Sequence, residues 1–354
     1  MSDHSDQISA LLQTINAARQ NAAQWLLDHI GSDGVPEDSA DKTGWPRVGW
    51  GLSVAGHVDV AARIVEWAAR NRIEKSGAFR PGYANGQGYI SSTANYWLGT
   101  YVISAWMTGH LSVARQSLAF LKSQQDTATG GILMVASDGN APPSDGVVCE
   151  MLSTAQVGLS ALVAGDHELA HGCARWVRSM ARQDARESLL FHGCMIGNEL
   201  WVPPAGTPAW SLIVDFSKPR EAYFPPAMGA VFLARYSARY NCAESLDAAR
   251  RLLQFSRLGN PAQFDDVESV QACKYGWAVG EMYFADREGN WLEQVMQMAG
   301  WFLDRQTPEG WWGPSEFADP APGIADRMIK TSEHLMELSV LASALGAEQV
   351  NSVG

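Results

Sequence analysis

Asp265, Asp266 and Glu268 crowd three carboxylates into four positions at the start of "DDVESVQACKYGW", residues 265–277. Carboxylates this close raise one another's pKa, so one is expected to stay protonated and serve as a general acid. Lys274 and Tyr275, one turn past Gln271, are donors suited to an oxygen whose charge grows in a transition state. A second stretch, "KTSEHLMEL" at 330–338, adds Glu333, His334 and Glu337, with the His334 imidazole as a further donor. In "FSKPREAYFPP" at 216–226, Lys218, Arg220 and Glu221 stand beside Tyr223 and Phe224. Such a cluster orients a polar or anionic group while the aromatics hold an apolar body. The chain has no phosphate-cradling glycine loop, dinucleotide fingerprint or GxSxG elbow, and "DDVES" lacks the fifth-position carboxylate of a Mg²⁺ array. No cofactor is expected.

A repeat must position these groups. "AGHVDVAARIVEWAARN" from Ala55, "TGHLSVARQSLAFLKSQ" from Thr108 and "AGDHELAHGCARWVRSM" from Ala164 align without gaps. Each carries an aromatic eleven positions after its Gly: Gly56 to Trp67, Gly109 to Phe120, Gly165 to Trp176. "YNCAESLDAARRLLQFSR", "REGNWLEQVMQMAGWFLDRQ" and the N-terminal "INAARQNAAQWLLDHIG" are looser copies. The Gly ends one helix in the left-handed conformation, the polar residue beside it starts the next, and the apolar spacing gives that helix one buried stripe. A more apolar helix precedes each internal turn, from "WPRVGWGLSVA" to "ESVQACKYGWAVGEMYFA", with a last one in "KTSEHLMELSVLASALG". Six amphipathic helices alternating with six buried ones predict an all-α fold: a single (α/α)6 toroid of six inner and six outer helices over residues 8–346. Residues 1–7 and 347–354 are expected to be flexible ends, and strand is confined to "LLFHGCMIG" and "WSLIVDF".

The inner-to-outer turns are short, while the outer-to-inner connections are long, about 73–91, 126–149, 184–222, 259–267 and 307–329. Long Gly/Pro-rich loops on one face build sites, and the inner helices begin at that face with their positive dipole ends. Substrate-lining residues are therefore expected at Asn95, Tyr96 and Trp97, at Glu150, Thr154 and Gln156, at Tyr223 and Phe224, and at Gln271 and Trp277. The long fourth connection adds His192, Glu199, Trp201, Lys218 and Arg220.

"LKSQQDTATGGI" followed by "LSTAQVGLSALVAGD", together with "DRQTPEGWWG", resembles the repeats of terpenoid cyclases and protein prenyltransferase β-subunits, across nearly the whole chain. The resemblance implies the toroid. It also implies two chemistries to weigh. Class II cyclases protonate a double bond from a DxDD acid, which Asp265, Asp266 and Glu268 approach without matching. Prenyltransferases hold zinc with an Asp-x-Cys and a distant His, which places Cys273 and His334 as ligands. Gln271 then stands where the Asp belongs, so the set lacks a third strong ligand and no metal is expected.

Composition narrows the partners. Hydrophobic residues make up 46% of the 354 and charged ones 18%, a globular balance. A net charge of −12 without a basic run argues against nucleic acid. No apolar run is long enough for stable membrane insertion. The polar start "MSDHSDQ" and five cysteines without CxxC spacing point to a cytoplasmic protein with reduced thiols. A homodimer stays open. The expected ligand is a hydrophobic small molecule, since fourteen tryptophans must line a core or an apolar cavity. Together these features predict a metal-independent cyclase or isomerase of natural-product biosynthesis, acting on a terpenoid or polyketide-like intermediate. A pericyclic closure would suit the missing motifs. The alternatives are a carbohydrate-active enzyme (glycosidase, polysaccharide lyase or sugar epimerase) on the same toroid, and a non-catalytic toroid that binds a ligand or partner.

Overall fold

The computed structural model of the chain describes residues 2–38, 45–80, 94–134, 146–205, 211–269, 271–314 and 321–353. Six helices form an inner ring: α2 (Trp45–Val54), α4 (Ala94–Met107), α6 (Met151–Ala164), α8 (Phe224–Tyr240), α11 (Cys273–Ala285) and α13 (Ile324–Val353). Each packs on the next in that order, and α13 returns to α2, so the ring closes. Six more wrap it: α1 (Ser2–Asp28), α3 (Val58–Asn71), α5 (Leu111–Ser123), α7 (His167–Met180), α9 (Ala243–Leu258) and α12 (Leu292–Leu303). A one-turn helix, α10 (Ala262–Asp265), lies in the link before α11. The toroid expected from the repeat is the fold observed.

Sequence explains the two layers. In α6 every residue from Met151 to Ala161 is buried, whereas in α7 the buried set follows one stripe that includes Leu169, Cys173, Trp176 and Met180. The hairpin between them turns on Gly165, at φ 78°, and the Asp166 carboxylate then accepts the Leu169 N–H at 3.1 Å. At the next hairpin Asn241 takes the left-handed place, at φ 51°.

The two near-copies "QQDTATGG" and "RQTPEGWWG" make the same bonds. Gln125 Nε2 donates to Gly130 O at 2.9 Å and to Leu169 O of α7 at 3.3 Å. Gln306 Nε2 donates to Gly310 O at 2.9 Å and to Ala18 O of α1 at 2.8 Å. The Ile132 N–H then reaches Thr154 Oγ1 at 2.9 Å, and the Trp312 N–H reaches Thr331 Oγ1 at 3.0 Å. Each phrase thus fastens an outer helix to the next outer helix and to the start of the following inner one. Gly130 sits at φ 90° with Gly172 O only 2.2 Å from where a Cβ would stand, so no other residue fits.

Three boundaries differ from expectation. Helix α13 starts at Ile324, two turns before the expected stretch, because Asp326 Oδ2 accepts the Gly323 N–H at 2.9 Å and opens the helix early. Helix α11 starts only at Cys273, so Asp265 to Glu268 lie in the preceding link. The end helices extend past the expected toroid bounds: α1 runs from Ser2 and α13 to Val353, where Gln349 and Glu348 are bonded to Ser9 and Tyr283. The two strand segments are real. They contribute β2 (Leu190–His192), β3 (Cys194–Ile196) and β5 (Ile213–Asp215), which join β1 (Val148–Glu150) and β4 (Glu199–Leu200) in two small antiparallel sheets beside the start of α6.

Candidate functional site

A chain of charge crosses the inner ring near the start of its helices. Arg47 of α2 donates through Nη1 to Glu333 Oε1 of α13 at 2.6 Å and through Nη2 to the Tyr96 hydroxyl of α4. Lys274 of α11 donates to the same Glu333 oxygen and to Glu337 Oε1 at 2.5 Å. Lys330 holds the other Glu333 oxygen at 2.7 Å. The Arg47 guanidinium also lies 5.2 Å from the centre of the Tyr96 ring and 4.9 Å from that of Trp97. Lys274, Glu333 and Glu337 are almost entirely buried. Three cations face two carboxylates, so the cluster carries a positive excess inside a chain of net charge −12.

One turn further along, each of three inner helices places a large apolar side chain: Trp50 after Arg47, Trp277 after Lys274 and Met336 after Glu333. Residues three apart share a helix face, so a charged layer is followed about 4.5 Å on by an apolar one. Trp50 and Trp277 meet edge to face with centroids 5.6 Å apart, and Lys274 Nζ is 5.6 Å from the Trp277 ring centre.

Burial and pairing compete over every charge here. Burial pushes the Lys274 ammonium down, but Glu333 and Glu337 overcome it and hold it above the usual lysine value. Burial pushes Glu333 up, and Arg47, Lys274 and Lys330 bring it well below the usual carboxylate range. Glu333 is a locked anion, not an acid. His334 is driven low by burial, against the pull of Glu337, and is neutral. Its ring sits among Trp301, Phe302 and Trp312, with centroids 5.0–5.9 Å away, between α13 and the outer layer. His334 Nδ1 lies 3.4 Å from Glu337 Oε2 without hydrogen-bond geometry, and neither ring nitrogen has a hydrogen-bond partner among the described residues. Arg47 Nε, Trp97 Nε1 and both amide atoms of Gln156 are likewise buried without a hydrogen-bond partner among the described residues.

The zinc comparison comes out differently from its sequence form. Cys273, His334 and Glu337 bring one ligand atom each within 4.8 Å of one another, so Glu337 rather than Gln271 supplies the missing third group. The charges do not fit a dication. Glu337 already binds the Lys274 ammonium, and Lys330 adds a second positive charge near Cys273.

Most other expected residues lie apart from this chain of charge. Asp265 is exposed. Asp266 is bonded by Arg220 Nε at 2.9 Å, which holds its carboxyl below the usual value. That shift is opposite to the one a crowded, protonated acid requires. Glu268 is half-buried in the same turn. Lys218 pairs with Asp215 at 3.0 Å on the surface. The Tyr223 hydroxyl donates to Lys218 O at 2.6 Å, and Phe224 is core. The Tyr275 hydroxyl donates to Gln294 of the outer α12 at 2.9 Å. Asn95 Nδ2 donates to Leu133 O at 3.0 Å. Trp201 packs with Met134, Val148, Cys194 and Leu212 under the small sheet. Gln271 is buried, His192 is half-buried, and Glu199 is exposed. Glu150 caps α6, accepting the Leu152 and Ser153 N–H groups at 2.6 and 2.5 Å, and burial pushes it up to about 7.

Of the expected groups, then, Lys274, Glu333 and Glu337 meet with Tyr96 and Trp97, while Trp277 lies one turn along and His334 faces the aromatics of the outer layer. Arg47 and Lys330 are additions. Arg47 had a signal: it is the single charge of "WPRVGWGLSV", an otherwise apolar inner helix.

No protein-family profile matches the chain, and no curated protein sequence does. Solved structures share its fold. D-mannose isomerase matches with a TM-score of 0.64 at 12% identity, over 93% of this chain and 97% of that one. The type II terpene cyclase MstE from Scytonema, with the substrate geranylgeranyl dihydroxybenzoate, matches at 0.61 and 14%, over 95% and 99%. The GH76A α-1,6-mannanase from Salegentibacter sp. matches at 0.61 and 11%, over 93% and 99%. Among the described residues no helix is long and apolar enough to cross a membrane. At such identities the likeness shows the α/α toroid, a ring whose solved examples are enzymes of different reactions.

Proposed function

We propose that the chain is a metal-independent cyclase or isomerase acting on a hydrophobic, oxygen-bearing intermediate of terpenoid or polyketide type. One observation carries this reading. Fixed donors (Lys274, Arg47 and the Tyr96 hydroxyl) stand buried against Trp97 and Trp277, and Arg47 Nε and Trp97 Nε1 have no hydrogen-bond partner among the described residues. Donors pre-set in a low dielectric stabilise negative charge developing on a substrate oxygen far better than water does. Glu333 and Glu337 keep Lys274 charged and in place. Trp97 and Trp277 supply the apolar wall that folds the substrate body. A glycosidase needs two opposed carboxylates, whereas Glu333 and Glu337 share one helix and one ammonium.

Ring closure and isomerisation conserve mass, and that gives the test. Deletion of the gene in its native host should remove one metabolite and accumulate a compound of identical mass. An accumulating compound that differs by a sugar unit or by water would contradict the reading.

A further inference from the structure

The opposite end of the ring, where the short hairpins lie, holds a cavity of about 510 Å³ between α1, α2, α8 and α13. That volume falls in the range of small-molecule sites. Its floor is the apolar layer already described, with Trp50 and Met336 lining it, and Leu12 and Val54 add further apolar wall. Its polar lining includes two arginines and no carboxylate, in a chain that is strongly acidic overall. Arg235 spends one Nη2 donor on Glu281, at 2.6 Å, and no further hydrogen bond of its guanidinium is found among the described residues. Arg19 is braced by Ser339 at 2.9 Å, Asn16 at 3.1 Å and Val54 O at 3.2 Å, which fix its guanidinium at the cavity edge. Guanidinium groups match carboxylate and phosphate oxygens in geometry as well as charge.

We infer that this hairpin-end cavity binds a small amphipathic anion: a carboxylate or phosphate monoester whose head meets Arg235 and Arg19 and whose apolar body lies on Trp50 and Met336. The site is separated from the buried charges by one layer of side chains, and the inference does not depend on the reaction proposed there. It is tested by isothermal titration of the full chain with monomeric laurate and with dodecyl phosphate, using dodecyltrimethylammonium as the cationic control. Both anions should bind one per chain and the cation should not. Arg19→Gln should weaken laurate about ten-fold, the size of one charge-assisted hydrogen bond. Ala342→Trp, which fills the cavity wall, should abolish binding. Arg19 is only half-buried, so its variant decides the matter even if the tryptophan variant does not fold. Equal binding of the cation, or laurate binding unchanged in Arg19→Gln, overturns the inference. So does co-sedimentation with phosphatidylglycerol vesicles without binding of free laurate, which would make the arginines a membrane contact.

Discussion

Two acidic clusters of this molecule have opposite fates. Asp265, Asp266 and Glu268 lie within four positions at or near the surface, where Asp266 is held by Arg220 and by the Glu268 N–H of its own turn. Glu333 and Glu337 are a helical turn apart, shut from solvent, and gripped by Lys274 together with Arg47 and Lys330. Crowding in sequence attracts attention to the first, but burial decides the energetics of the second. A charge in water is stabilised wherever it lies, whereas a charge in a dry interior exists only because a partner was placed beside it.

Lys274→Met should widen that contrast most. It leaves Glu337 buried without its cation, while Glu333 keeps Arg47 and Lys330, and should cost about 3–5 kcal/mol in urea unfolding. A loss under about 1 kcal/mol would mean the interior is wetter than it looks. The acid limb of the stability curve should separate the clusters next. Glu333 is held below its usual value near 4.5, so its contribution is present above that pH and lost as pH falls beneath it. Glu333→Gln should lose that slope, which unfolding at a series of acidic pH values would reveal.

Glu150 works with the opposite sign. Its folded pKa, raised to about 7 from the usual 4.5, makes the folded state bind the proton more tightly. Stability from this group therefore falls as pH rises from 4.5 to 7, and Glu150→Gln should flatten the curve in that window. The smallest effect belongs to the exposed cluster. Arg220→Gln should cost less than about 1 kcal/mol and should matter less at high salt. A larger, salt-insensitive loss would place Asp266 in the interior class after all.

What the sequence made legible follows the same division. Gly56, Gly109 and Gly165 marked the hairpins, the eleven-residue spacing to an aromatic marked the outer stripes, and Gln125 and Gln306 proved to be the bonds behind a repeated phrase. Local rules fix those features. Lys274, Glu333 and Glu337 were nameable because they stand near inner-helix starts, but their contact joins residues about sixty apart. No local pattern foretells that α13 delivers Glu333 to Arg47, 286 positions away. Tyr275 shows the cost of the same ignorance: it neighbours Lys274 in sequence, yet one step around the helix turns its hydroxyl to the outer layer.

The central claim, that the buried donors and not the exposed carboxylates do the chemistry, is tested most directly by complementation of the deletion strain. Tyr96→Phe removes one hydroxyl and no charge, so soluble protein can be matched to wild type alongside Asp265→Asn. The account predicts that Tyr96→Phe lowers the restored metabolite about 10²-fold, the size of one lost transition-state donor, while Asp265→Asn restores it in full. Full restoration by Tyr96→Phe, with failure of Asp265→Asn, would contradict it.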